Sequence, residues 1–201
     1  MPGKCCVREV NKPATLEAAE ALFQQNRFPE VCSRKGKLPG RYSVPFNQAH
    51  LTGRELTYMA QAVANRNISG DGFFTEQVSR WIETYLGCSK VLLTTSCTHA
   101  LELAALLLNL QPGDEVIVPS FTFVSTANAF ALRGAVPVFA DIRPDTLNLD
   151  EALLPERITS RTRAIVPVHY AGIACDMRAI LSLAEKHGIA VIEDNAHGLF
   201  G

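Results

Sequence analysis

The sequence predicts an α/β fold: a mostly parallel sheet with helices on both faces. Two observations carry this. Short continuous apolar runs such as EVIVP, VPVFA and AIVPV read as strands covered on both sides rather than half-exposed. Segments of helical periodicity lie between successive runs, which is what joining parallel strands requires. At 201 residues, with 47% hydrophobic and 19% charged residues, the chain suits one soluble globular domain with a sizeable core.

Taken in order, residues 1–43 stand apart from the rest. ATLEAAEALFQQ (14–25) predicts a short amphipathic helix, and SRKGKLPGRYS (33–43) a basic, turn-rich linker, so this segment is expected to be an N-terminal extension. From residue 44 the pattern is regular. TEQVSRWIETYLG (75–87) spaces Val78, Trp81, Ile82, Tyr85 and Leu86 as one helix face, with Thr75 as expected N-cap and Gly87 past the end. KVLLTT (90–95) predicts a strand. SCTHALELAALLLNLQPGD (96–114) is apolar nearly all round and predicts a buried helix closed by Pro112-Gly113. EVIVPS predicts a strand, TFVSTANAFALRG a helix, VPVFADI a strand, and LDEALLPERI a helix opened near Asn148 or Asp150. TRAIVPVHYAG predicts a strand, DMRAILSLAEKHG a helix capped by Gly188, and IAVIED a last strand.

Composition excludes several roles. A formal net charge of -1 offers no electrostatic case for nucleic acid or an anionic membrane. The basic excess of residues 1–44, eight Lys/Arg against four Asp/Glu, is dilute and reads as a solvated segment. The six cysteines show neither CxxC spacing nor the density of a disulfide framework, and no run resembles a signal peptide or membrane span, so a cytoplasmic location is expected.

Ligands of open α/β sheets bind beyond the carboxyl ends of the strands, so the chemistry is expected at those ends. Ser96-Cys97-Thr98 follows KVLLTT and opens a helix, offering free N–H groups and two hydroxyls to a phosphate. Ordinary N-capping by Ser96 or Thr98 accounts for the same residues. Phe121 and Phe123 follow EVIVP and could present a flat ring or simply join the core. His169-Tyr170-Ala171-Gly172 follow AIVPV. Asp194, with His197 three residues on, follows IAVIE and could be a helix cap or a magnesium ligand. SGDGFF has Gly70 and Gly72 but no third glycine in register, and no GxxxxGK[ST] exists, so dinucleotide and P-loop readings have no anchor. Pyridoxal phosphate suits phosphate turn, flat ring and carboxylate together, because its ring nitrogen needs an acidic partner.

The stretches PFNQAHLTGREL, GDGFFTEQ, LLTTSCTHALELAALLL, QPGDEVIVPSFTFVSTANAFALRGAVPVFADIRPDTLNLD, RAIVPVHYAGIACDM and VIEDNAHG occur in the order they have in another group of proteins. Over residues 44–201 the chain resembles the DegT/DnrJ/EryC1/StrS nucleotide-sugar aminotransferases. That resemblance implies the large-domain portion, incomplete, of a fold-type I (aspartate aminotransferase-like) PLP-dependent transferase. It implies pyridoxal 5'-phosphate as cofactor, held by Ser96, Cys97 and Thr98 at the phosphate, Phe123 on the ring face, Asp194 at the ring nitrogen and His197 beside it. Asn195 stands where alanine is usual. The implied reaction moves an amino group from glutamate to a dTDP-linked 4-keto-6-deoxy sugar for surface polysaccharide synthesis, in a homodimer, with no nucleic acid or membrane partner.

The family's Schiff-base lysine lies downstream of the Asp194 position, in a motif that none of Lys4, Lys12, Lys35, Lys37, Lys90 and Lys186 matches. The chain is therefore expected to be a fragment of the parent enzyme with no catalytic lysine of its own. The alternative expectation is a non-catalytic remnant that binds the cofactor or pairs with a full-length homologue. A polypeptide of residues 1–201 should accordingly bind pyridoxal phosphate reversibly. Borohydride reduction followed by peptide mapping should fix no pyridoxyl group at a unique lysine; stoichiometric labelling of Lys90 or Lys186 would show that another lysine has taken the role.

Overall fold

The computed structural model describes residues 51–198. The helix and linker expected within residues 1–43 lie outside that range. The described residues fall into two compact units divided between Leu92 and Leu93.

The first unit contains α1 (Glu55–Ala64) and α2 (Phe73–Leu86). At the start of α1 the Glu55 carboxylate turns back to accept from the Thr52 and Gly53 N–H groups. Its own N–H, followed by the Thr52 N–H and hydroxyl, holds the carboxyl below the ordinary glutamate range. The expected cap of α2 is corrected: Gly72, not Thr75, precedes the helix, which begins three residues earlier than the sequence suggests. A Cβ on Gly72 would meet the Asn67 amide at 2.8 Å, so the glycine admits a close side-chain contact and forms no phosphate loop. Gly87 ends α2 in the left-handed conformation, as expected.

The second unit is a four-stranded, wholly parallel sheet. Its strands are β1 (Glu115–Pro119), β2 (Val136–Ala140), β3 (Thr162–Ile165) and β4 (Ala190–Val191), in the spatial order β2-β1-β3-β4. Its helices are α3 (Cys97–Leu107), α4 (Ser125–Ala131), the short α5 (Leu154–Arg157) and α6 (Met177–His187). Adjacent residues of the central strands point to opposite faces. Val116 and Val118 of β1 and Ala164 of β3 pack with Leu101 and Ala105 of α3 and Phe130 of α4. Ile117 and Ile165 pack on the other face with Leu154 of α5 and Ile180 and Ala184 of α6. The continuous apolar runs are thus two interleaved half-sequences, each feeding a different core.

Several expected elements are altered. Residues 90–95 form no strand; Leu92 and Leu93 are exposed, because among the described residues no strand runs alongside to complete a ladder. The helix after them is not buried all round. Leu101 and Ala105 face the core, whereas Leu107 is 71% exposed. The helix predicted over TFVSTANAFALRG starts at Ser125, leaving Phe121–Val124 as a loop at the end of β1. LDEALLPERI is a 3-10 turn capped by Asp150 and then α5. TRAIVPVHYAG is regular only to Ile165. The pairing continues irregularly, as Asp194 N–H donates to the Pro167 carbonyl and His169 N–H to that of Asp194. Pro137, which has no N–H to give, sits on the edge strand β2, where one is dispensable. The helix of residues 177–187 is as expected, with Asp176 accepting from Ala179 N–H and Gly188 at φ 64°.

At the amino end of the sheet, Glu115 is buried at the start of β1. It accepts from Thr159 Oγ1 at 2.5 Å and from Arg161 Nε at 2.9 Å, both in the turn before β3. The Thr159 and Arg161 hydrogen bonds hold the Glu115 carboxyl below its ordinary range. A carboxyl lowered on folding adds stability that is complete above its unfolded value and is lost as pH falls through the folded value. Glu115→Gln should therefore lower the melting temperature at pH 7, and the gap between the two proteins should close on titration toward pH ~3. Melting curves across that range test this; a gap independent of pH would mean that the charge is not what stabilises.

Candidate active site

The chain crosses from β2 back past β1 to β3, so the direction of strand addition switches between β1 and β3, the place at which ligands bind in such sheets, outside the carboxyl ends. Three segments converge at those ends: the start of α3, the loop from β1 into α4, and the turn after β4. Asp194 joins them. Ile192 packs into the same core as α3 and α4, and Asp194, two residues on, points the same way. Its carboxylate is 5% exposed. Oδ2 accepts from Thr126 Oγ1 at 2.7 Å, and Oδ1 accepts from the Ala196 N–H at 3.3 Å and the Cys97 thiol at 3.5 Å. Thr126 Oγ1 lies 2.8 Å from Thr122 Oγ1. Among the described residues no helix follows Asp194, and no cluster of His, Cys, Asp and Glu could hold a metal ion.

Each residue singled out by the sequence has a definite place. Ser96 caps α3, its hydroxyl accepting from His99 N–H at 3.2 Å. Cys97 and Thr98 are the first two residues of that helix, whose geometry leaves their N–H groups without carbonyl partners inside it. Capping and anion binding are therefore compatible: Ser96 takes one N–H and the two before it stay available. Phe123, next to Thr122, is 72% exposed and belongs to no core. Phe121 instead packs on Tyr170, ring centroids 4.8 Å apart.

His197 does not join the Asp194 cluster. Its Nδ1 accepts from Ala171 N–H at 3.2 Å, and its ring meets Tyr170 edge-on at 5.4 Å. Beneath it, a Cβ on Gly198 would lie 3.1 Å from the Gly172 Cα, so the two loops touch backbone to backbone. His169 is buried; it accepts from Cys175 N–H at Nδ1 and donates from Nε2 to Glu193 at 2.8 Å, a satisfied structural histidine. The Asn195 Oδ1 is buried without a partner.

Thr126 and Thr122 were missed by the sequence reading. The only signal was their spacing of four residues at a strand's carboxyl end, which falls on one side of the turn into α4. A pyridoxal phosphate group fits what is present: an anion-ready helix start, an exposed ring and a buried carboxylate held by donors, linked by the Cys97–Asp194 and Thr126–Asp194 contacts.

A parallel sheet covered by helices on both faces matches the fold of PLP-dependent aminotransferases of known structure. The DegT/DnrJ/EryC1/StrS aminotransferase family profile matches residues 16–200, and the chain belongs to that family. It is 40% identical over 159 residues to the spore coat polysaccharide biosynthesis protein SpsC of Bacillus subtilis, covering 79% of this chain and 40% of SpsC. It is 41% identical over 149 residues to the GDP-perosamine synthase of Caulobacter vibrioides, covering 74% of this chain and 40% of that enzyme. Among solved structures, a putative sugar aminotransferase of Streptococcus pneumoniae in its PMP form superposes with a TM-score of 0.71 at 33% identity, covering 79% of this chain and 43% of that one. NtdA of Bacillus subtilis, with bound PMP, gives 0.68 at 36% identity, covering 72% and 33%. The chain thus spans about 40% of the length of the curated relatives it matches.

Burial pushes the Cys97 thiol up to about 11, and the Asp194 charge and hydrogen bond add to the rise. Alkylation of Cys97 by iodoacetamide, followed site by site by peptide mapping, should accelerate with a midpoint near that value. Cys97 is exposed at the surface, so Asp194→Asn, which removes the charge that opposes thiolate formation, should lower the midpoint toward that of an ordinary thiol. An unmoved midpoint would show that the two side chains do not interact.

Proposed function

We propose that this chain forms the cofactor-binding part of a PLP-dependent aminotransferase acting on a dTDP-linked 4-keto-6-deoxy sugar, with glutamate as amino donor. It would work as a dTDP-4-amino-4,6-dideoxygalactose transaminase does. The observation that carries this is the buried Asp194 carboxylate, joined by hydrogen bonds to the start of α3 and to the loop bearing Phe123. Residues 44–201 are the partial large domain and residues 1–43 an extension; the whole enzyme is a cytoplasmic homodimer. Among the described residues no helix is long and apolar enough to cross a membrane.

Bound pyridoxal phosphate supplies an electron sink, its protonated ring drawing charge from the carbon that loses a proton. The chain's own residues make that possible. The N–H groups of Cys97 and Thr98, with the Ser96 and Thr98 hydroxyls, would hold the phosphate at the positive end of α3. Phe123 would offer its exposed ring to the ring face. Asp194 would keep the proton on the ring nitrogen by placing a negative charge beside it. His197, oriented by the Ala171 N–H, would border the ring.

The test is a polypeptide that continues past residue 201 through the family's lysine and C-terminal domain, assayed for 2-oxoglutarate release from glutamate. The dTDP-linked keto sugar should be turned over in preference to its GDP-linked counterpart. Asp194→Asn should leave folding nearly unchanged, yet cut turnover by roughly 10²–10³, the scale of one preorganised electrostatic contact. Preference for the GDP-linked sugar would overturn the substrate. Turnover within a few fold of the parent with cofactor bound would make Asp194 structural.

A further inference from the structure

Thr126 is fully buried, and its hydroxyl lies within hydrogen-bond distance of two oxygens, Asp194 Oδ2 at 2.7 Å and Thr122 Oγ1 at 2.8 Å. A hydroxyl has one proton to give. An ionised carboxylate can only accept, so the Thr126 proton goes to Asp194, and Thr126 must in turn accept from Thr122. The charge on Asp194 therefore fixes the direction of the whole chain, Thr122 to Thr126 to Asp194. Oδ2 is pinned by this relay, while Oδ1 is held by the Ala196 N–H and the Cys97 thiol. The carboxylate plane cannot turn without breaking one of these bonds.

We infer that Thr126, backed by Thr122, is a positioning residue that sets the orientation in which Asp194 meets the cofactor's ring nitrogen. The inference rests on the reading of Asp194 as the partner of that nitrogen. Thr122 directly precedes Phe123, so the relay also ties the loop bearing the exposed ring to the carboxylate. A hydrogen bond to a charged acceptor is among the strongest a side chain makes, and a carboxylate freed to rotate loses the directional part of its pairing.

The experiment titrates the full chain with pyridoxamine 5'-phosphate, which binds without a lysine, by ligand absorbance. Thr126→Val keeps the buried shape and removes the hydroxyl; it should weaken binding about tenfold, the lower end for one hydrogen bond to a charge. Thr126→Ser should return affinity to within about twofold, which a packing role would not predict. In an Asp194→Asn background Thr126→Val should add almost nothing, since its effect passes through the carboxylate. Thr126→Ala, which also lacks a donor, takes the place of the valine chain if that chain does not fold.

Full affinity in Thr126→Val, with Asp194→Asn weakened, would overturn the positioning role and leave the function proposed above intact. Additive losses in the double variant would overturn it too, because Thr126 would then act independently of Asp194. Unchanged affinity in Asp194→Asn, or no binding by the unsubstituted chain, would remove the reading of Asp194 and this inference with it.

Discussion

The constraint on which the site depends is the cost of burying one negative charge. A carboxylate removed from water has to be met by donors. Asp194 obtains them from two parts of the chain distant in sequence, a hydroxyl after β1 and a thiol at the start of α3, and from an N–H two residues on. Satisfying it brings those segments together at the carboxyl end of the sheet. The backbone of Asp194 is also committed, its N–H and carbonyl carrying the pairing with Pro167 and His169 beyond the last regular residues of β3 and β4. Side chain and main chain are fixed by separate sets of bonds, so the direction in which the charge points follows from the fold.

Much of this was legible in the sequence, for physical reasons. EVIVP and AIVPV carry two apolar faces each, and only a covered parallel sheet uses both. The helix ending at Gly188 announces itself through an apolar stripe, the Asp176 cap and a terminator free to adopt positive φ. Asp194 stood out because an acidic residue directly after an apolar strand is costly unless it has a task.

The failures have equally physical causes. KVLLTT has the composition of a strand, but composition describes a segment's fitness for a sheet and not the presence of a neighbour. Thr126 passed for an interior helix residue because its partner is 68 positions away, a distance that periodicity cannot report. The Phe121–Tyr170 ring contact was equally hidden, because it joins two loops 49 positions apart. Local pattern specifies elements well; contacts between elements have to be seen.

The backbone contact between Gly172 and Gly198 has a thermodynamic consequence. No side chain cushions the two loops there, and Ala171 beside it holds a left-handed conformation at φ 53°. The wall formed by Tyr170 and His197 is therefore assembled when the chain folds. A ligand arriving at it meets a surface whose conformational entropy has already been surrendered, so the free energy of its contacts is not spent on ordering the loops. Rigidity at two glycines, residues usually associated with freedom, is in this sense a contribution to affinity made in advance.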